Sequence, residues 1–344
     1  MPQKVTLKDI ARETGLSESA VSQVLNNRPC RLSEESKERI RATARRLNYR
    51  VNQVARSLAM RRSSTIGLIV PDIENPFFSS LAKRLEGCCR EAGYGLLITN
   101  SDDRSDYDCE QLERLDSRGV DGIVFVPSNE IMDDEGRLMG VLSGLSVPYV
   151  MVDRVIEDAA CDKVFVDNEW GAHQAVDYLI ERGHTRIGCL ARTARTQNGR
   201  LRLRGYENAL AEHGIELRPE WVRECDYHSE SGYREVEGLL ATGVTAIFST
   251  SDLMTVGVMS RLTELGVRVP EDVSVVSFDR NEASTLFLPG ITSVRQDVVQ
   301  LAARAFELLM DRINGSTREP ELYIVSPELV VGTSVAPPAR AQEP

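Results

Sequence analysis

The sequence predicts an α/β body in two lobes carrying a small helical head, and three observations point there. From residue 64 onward, short apolar runs alternate with amphipathic helical stretches, the pattern of parallel sheets covered on both faces. The roughly 270 residues concerned hold more strands than one core accommodates, so two lobes are expected. Residues 1 to 62 carry fourteen Lys/Arg against six acids, although the whole 344-residue chain has 41 basic and 52 acidic residues and a net charge of −11. A basic head on an acidic body is expected where one end meets a polyanion, while the acidic remainder disfavours indiscriminate DNA binding.

In the head, Thr6 stands as the cap of a first helix, with Asp9 at the capping-box position and Leu7, Ile10 and Ala11 as its apolar face. Gly15 ends that helix. Ser17 caps a second one, which buries Ala20, Val21, Val24 and Leu25 and leaves Glu18, Ser19, Ser22, Gln23 and Asn26 pointing outward. Two short helices meeting at a glycine make a helix-turn-helix, and those five side chains are placed to meet base edges or phosphates. Ser33 caps a third helix with acids in its first turn and arginines in its last, and Ile40, Ala44 and Leu47 close a three-helix core.

Next comes VNQVARSLAMRRSS, where Asn52 caps a short helix carrying Val54, Ala55, Leu58 and Ala59 on one side and Arg56, Arg61 and Arg62 elsewhere. About eight residues are too few to hold a helix in water alone, so this one is expected to order against a partner, such as a second copy of itself and DNA.

Through VTLKDIA, VSQVLN and LNYRVNQVARSLA the chain resembles the lactose/galactose repressor family of bacterial transcription regulators, and the likeness extends to about Val331. The resemblance implies that paired hinge helices enter the minor groove and that Leu58 wedges a base step open. It adds Thr6, Ser17, Tyr49, Asn52, Ala55 and Arg56 to the DNA-contacting set. Gln23 stands where many members carry arginine, and glutamine favours adenine over guanine. The implied organisation is a helix-turn-helix domain over 1–50, a hinge helix over 51–61 and a periplasmic-binding-protein-like, Rossmannoid core over 62–331 for effector binding and dimerisation. Within that core, a DNA-proximal lobe takes about 62–160 and 293–322, and a distal lobe about 161–292 and 323–331. The tail 332–344 is proline-rich, lacks leucine heptads and is expected to be disordered.

Strands are expected at STIGLIV, YGLLIT, GIVFV, PYVMV, RIGCL, TAIFS and VSVVSF, and helices at NPFFSSLAKRLEGCCREAG, NEWGAHQAVDYLIERG and RLRLRGYENALAEHG. Ligands of such sheets sit beyond the carboxyl ends of strands, where two lobes face each other. Asn75, Phe77 and Phe78 follow the first strand there, Asp153-Arg154, Ser251-Asp252 and Asp279-Arg280 end others, and Asn198, Arg202 and Tyr227 lie in connecting segments. Carboxylates that accept from hydroxyls, arginines that donate and aromatic faces suit a sugar or similar polyol. By resemblance, Phe77, Phe78, Asp153, Asn198, Arg202, Tyr227, Ser251 and Asp279 occupy effector-touching positions. Ser251 departs from a frequent asparagine and Arg280 from a common second aspartate.

Enzyme signatures are missing: no GxGxxG opens a helix, no Walker or HExxH sequence occurs, and Ser80 with Lys83 forms only a formal SxxK pair. His173, His184, His213 and His228 lack metal-ligand spacing, His184 reading as a loop residue that ends a helix. Seven cysteines without CxxC spacing read as reduced cytoplasmic thiols, and neither leader nor membrane span is legible. The expected function is a homodimeric DNA-binding repressor without catalysis, metal or cofactor, reading an inverted operator repeat under control of a sugar-like effector. A purine corepressor or a phosphocarrier protein partner is the alternative, and a cytosolic solute-binding or catalytic α/β protein a further one.

Overall fold

A computed structural model describes residues 5–26, 29–49, 62–129, 135–192, 197–280, 285 and 290–338. The chain packs as two units that meet in sequence at Ser63 and Ser64. In the first, helices Leu7–Thr14, Glu18–Leu25 and Glu34–Arg46 enclose Ile10, Val21, Val24, Ile40 and Ala44. Gly15 adopts a left-handed conformation at φ 68°, which a residue without Cβ reaches at little cost. Arg39 ties the third helix back to the first by donating to Thr14 O at 3.1 Å.

The second unit holds two six-stranded sheets. The first comprises β1 (Thr65–Val70), β2 (Gly95–Asn100), β3 (Gly122–Phe125), β4 (Tyr149–Val152), β5 (Asp162–Val166) and β11 (Leu322–Val325), in the order β11-β5-β4-β3-β1-β2. The second comprises β6 (Ile187–Ala191), β7 (Val222–Glu224), β8 (Ala246–Ser249), β9 (Ser274–Phe278), β10 (Thr292–Arg295) and β12 (Glu328–Val330), in the order β12-β10-β9-β8-β6-β7. All pairings are parallel except β10 with β12. Continuous apolar runs such as IGLIV are buried because helices cover both faces: Pro76–Glu91 and Val298–Ile313 on one side of the first sheet, Asn168–Glu181 and Gln197–Glu212 on one side of the second.

The chain crosses between sheets three times, and the crossings correct the expected lobe limits. β5 belongs to the first sheet, so the first crossing follows Val166 rather than residue 160. β10 is hydrogen-bonded into the second sheet, so the return begins after Arg295, and β11 carries the first sheet on to Val325. The polar start of β5 conceals it in the sequence. Asp162 is fully buried because Arg312 at 2.7 Å and Arg318 at 3.1 Å neutralise it, and it accepts from Glu321 N.

Residues 332–338 also depart from expectation, since they are packed. Ser334 is 4 % exposed; its hydroxyl accepts from Thr292 N and donates to Val275 O, and Ala336 N donates to Ser274 Oγ. His184 lies in the loop that follows helix Asn168–Glu181, as expected, and is buried there, with Nδ1 at 2.9 Å from Thr245 Oγ1 and Nε2 at 2.8 Å from Ala336 O. A carbonyl only accepts, so Nε2 carries the proton. Among the described residues no helix is long and apolar enough to cross a membrane.

Candidate functional site

The head presents the amino end of helix Glu18–Leu25. Ser17 accepts from Ala20 N at 3.2 Å, while Glu18 and Ser19 are exposed. Ser22 and Gln23 are half-buried, and only Asn26 departs from its outward assignment, donating to Ser22 O at 2.8 Å and so capping its own helix instead of projecting. Thr6 is likewise engaged, its N–H and hydroxyl both donating to Asp9 Oδ2; those bonds hold the Asp9 carboxyl below its usual range. Tyr49 packs against the head core, and burial raises its phenol pKa. The expected hinge contacts Asn52, Ala55, Arg56 and Leu58 lie outside the described residues.

In the body, the carboxyl ends of strands converge on a buried guanidinium. Arg202, 3 % exposed on helix Gln197–Glu212, donates from Nε to Asn168 Oδ1 at 2.7 Å and from Nη1 to Thr250 O at 2.7 Å, and its Nη2 lies 2.9 Å from Asp279 Oδ1. Its planar group lies over the Phe278 ring, 3.8 Å from the centroid. Burial opposes the charge, yet Asp279 beside it raises the guanidinium pKa above its ordinary value. Gln296 Nε2 donates to the same Asp279 carboxylate.

From the first sheet, Asp153 follows β4 and accepts from Asn198 Nδ2 at 3.2 Å, so a carboxylate and an amide meet across the two lobes. Burial pushes the Asp153 carboxyl up to about 6, in spite of Arg154 and Arg202 nearby. Arg154 lies 3.9 Å from Asp153 and pairs more closely with Asp103 at 2.7 Å, and Arg192 just after β6 approaches the same Asp103 at 3.6 Å. Asp103 is fastened further by Asn129, and burial is outweighed there by Arg154 and the Asn129 bonds, which lower its carboxyl pKa.

Asp153, Asn198, Arg202 and Asp279 are thus brought together, with Tyr227 close enough to act electrostatically on Arg202. Ser251 is buried beside Thr250, at the start of helix Asp252–Glu264. The other three expectations are modified. Asn75 uses its Oδ1 to cap helix Pro76–Glu91, accepting from Phe77 N at 2.9 Å. Phe77 and Phe78 are 4 % and 3 % exposed and pack edge to face in the first core, because adjacent residues in a first turn share the apolar face over β1. Only Phe78 also meets a polar group, the Arg154 guanidinium at 5.2 Å.

Sequence reasoning missed Asp103, Asn129, Asn168, Arg192 and Gln296. Backbone conformation marks one of them together with the better candidates. Asp102, Asp103, Asp153, Tyr227 and Asp279 all have φ between 52° and 78°, a region that non-glycine residues enter at a cost and that concentrates at binding sites. Among the described residues there is no group of three or more His, Cys, Asp or Glu side chains disposed to hold a metal ion.

Comparison with known proteins matches residues 6–52 to bacterial regulatory proteins of the lacI family and residues 176–335 to the periplasmic binding protein-like domain. The chain is 33 % identical over 333 residues to the HTH-type transcriptional repressor PurR of Photobacterium profundum, covering 96 % of this chain and 98 % of the relative. Among solved structures, it is similar to the lac repressor dimer bound to operator and the anti-inducer ONPF, with TM-score 0.86, 25 % identity and coverage of 97 % and 100 %. It is also similar to the transcriptional regulator CelR in complex with cellobiose, with TM-score 0.72, 29 % identity and coverage of 96 % and 100 %.

Proposed function

Because this chain belongs to the lacI family of bacterial regulatory proteins, we propose that its head reads an operator as a homodimer while the cleft around Arg202 receives a sugar-like effector that sets operator affinity. The carrying observation is the buried Arg202–Asp279 pair, with Asp153 and Asn198 joined across the lobes beside it. Fixed donors and acceptors in a desolvated cleft recognise vicinal hydroxyls, and one carboxylate contributed by each lobe makes ligand affinity depend on how the lobes close.

The DNA side of the proposal uses Glu18, Ser19, Ser22 and Gln23 for bases or phosphates, with Ser17, Thr6 and Tyr49 holding the reading helix in place. Residues 51–61 supply the hinge by family resemblance. The relative's name places repression in this branch, and the coupling of two lobe arrangements to operator affinity requires no covalent step. A planar nitrogenous corepressor is the second reading, supported by the Tyr227 ring beside Arg202 and by the extent of identity to PurR.

Calorimetry of the full chain against sugars and nucleobases separates the two readings, and footprinting with and without the binder tests the coupling. Arg202→Ala is expected to lose effector response while retaining a protected inverted repeat. Loss of the footprint with effector binding intact would overturn the division of work.

A further inference from the structure

Two of the three crossings between the sheets carry a buried amide side chain, and both amides reach the Arg202–Asp279 pair. Asn168, 1 % exposed, follows β5 by two residues and opens helix Asn168–Glu181. Its Oδ1 accepts from Arg202 Nε at 2.7 Å, and its Nδ2 donates at 3.0 Å to Val166 O, where β5 ends. Gln296, 3 % exposed, comes directly after β10. Its Nε2 donates to Asp279, while its backbone carbonyl accepts at 2.9 Å from Val298 N, the start of helix Val298–Ile313. Neither amide has a choice of orientation, since a guanidinium only donates and a carbonyl, or a carboxylate paired with a guanidinium, only accepts. A hydrogen-bonded line therefore runs from Val166 through Asn168, Arg202 and Asp279 to Gln296. The third crossing leaves β11 at Val325, whose carbonyl accepts from Asp167 N at 3.0 Å, so it is fastened to the first.

We propose that Asn168 and Gln296 are positioning residues that tie the Arg202–Asp279 pair to the first and second crossings, so that a ligand engaging the pair shifts both crossings together. Their role in this sense rests on that pair being the effector-binding group. Lobes turn about the few residues that end their elements, and Val166 and Arg295 end the two strands from which the chain changes sheets. Every side chain in the line is largely desolvated, so a bond removed from it leaves a charge or an amide unpaired and displaces its neighbours. Strain at one crossing thereby reaches the other through the ion pair.

Backbone amide hydrogen exchange of the full chain, free of ligand, tests this without a choice of effector. Asn168→Leu removes both bonds of its amide and is expected to speed exchange over residues 296–301 roughly threefold or more, as well as over 164–168. Gln296→Met should do the reverse, reaching 164–168 from the second crossing. Asn168→Asp keeps an oxygen toward Arg202 Nε but turns a second one to Val166 O, so it should loosen 164–168 and leave 296–301 as in the parent. Helix Ser105–Ser117, remote from the line, serves as the reference and should not change. Exchange that rises only around the substituted residue in both Asn168→Leu and Gln296→Met overturns the proposal, because each amide then merely satisfies its own neighbours. So does a rise over 296–301 in Asn168→Asp equal to that in Asn168→Leu. Should Asn168→Leu loosen the reference helix too, Gln296→Met reads the same line from its other end. Exchange that spreads between the crossings, together with no heat from any sugar or nucleobase, supports the tie and overturns only the effector reading.

Discussion

Strain and burial single out the same few side chains. Asp153 and Asp279 end strands of different sheets in left-handed conformations, and each faces a cation that balances its charge. For Asp153 the balance is incomplete: burial raises its carboxyl to about 6 from 3.8. A carboxyl raised by folding contributes stability that is full below the unfolded pKa and is lost as pH climbs through the folded one. Asp153→Asn removes that loss, so its melting temperature should gain on the parent between pH 4 and pH 7, by an amount corresponding to roughly 3 kcal/mol at most. Parallel melting curves across this range would show that Asp153 stays ionised in the fold. In the head, Gln23→Arg should exchange an adenine-favouring contact for a guanine-favouring one, shifting preference at one symmetric operator position by about 1–3 kcal/mol. Site selection with both variants measures this, and identical preferences would exclude Gln23 from base contact. Gln23 was legible as an outward residue from its place after Ser17; the folding back of Asn26 was not, because capping of its own carbonyls competes locally with projection.

Between elements, glycines set how closely helices approach. A Cβ on Gly257 would lie 1.8 Å from Ser229 O, and one on Gly232 would lie 2.2 Å from Met254 O, so helices Ser229–Leu240 and Asp252–Glu264 touch backbone to backbone. The second of these helices begins at Ser251, and its placement carries the loop whose Thr250 carbonyl receives Arg202. Gly257→Ala should separate the pair, costing about 1–3 kcal/mol as overpacking does, and should weaken effector binding more than operator binding. Unchanged thermal melting would refute the close approach. Helix positions in the body follow from apolar periodicity alone, as in Asn168–Glu181 and Gln197–Glu212. The role of these glycines does not follow, since within one helix a glycine reads only as a mild propensity loss. Strands β5, β7, β10, β11 and β12 also escaped a periodicity reading: runs of three to five residues, with a charged member in all but β11, carry too little apolar signal.

Across the body, three chain crossings join the sheets, and the segment 332–338 ties the second sheet to its own end. His184 holds that segment through Ala336 O, and burial lowers its pKa below the usual 6.5. A histidine lowered by folding contributes stability present above the unfolded pKa and lost as pH falls through the folded one. His184→Gln should therefore flatten the loss of stability on acidification below about pH 6.5 and expose residues 332–338 to proteolysis at neutral pH. Equal proteolysis of parent and variant would leave the histidine without this anchoring role. The amino-acid order by itself determined the basic three-helix head and the doubly covered parallel sheets, because caps, periodicity and charge are local properties, and the family resemblance it carries supplied the short list containing Asp153, Asn198, Arg202 and Asp279. Only the tertiary structure decided where the chain changes sheets, that Phe77 packs as core, that Asn198 meets Asp153 and that Gln296 meets Asp279. Those depend on residues far apart in the chain being desolvated together, and burial of that kind leaves no periodic trace along the backbone.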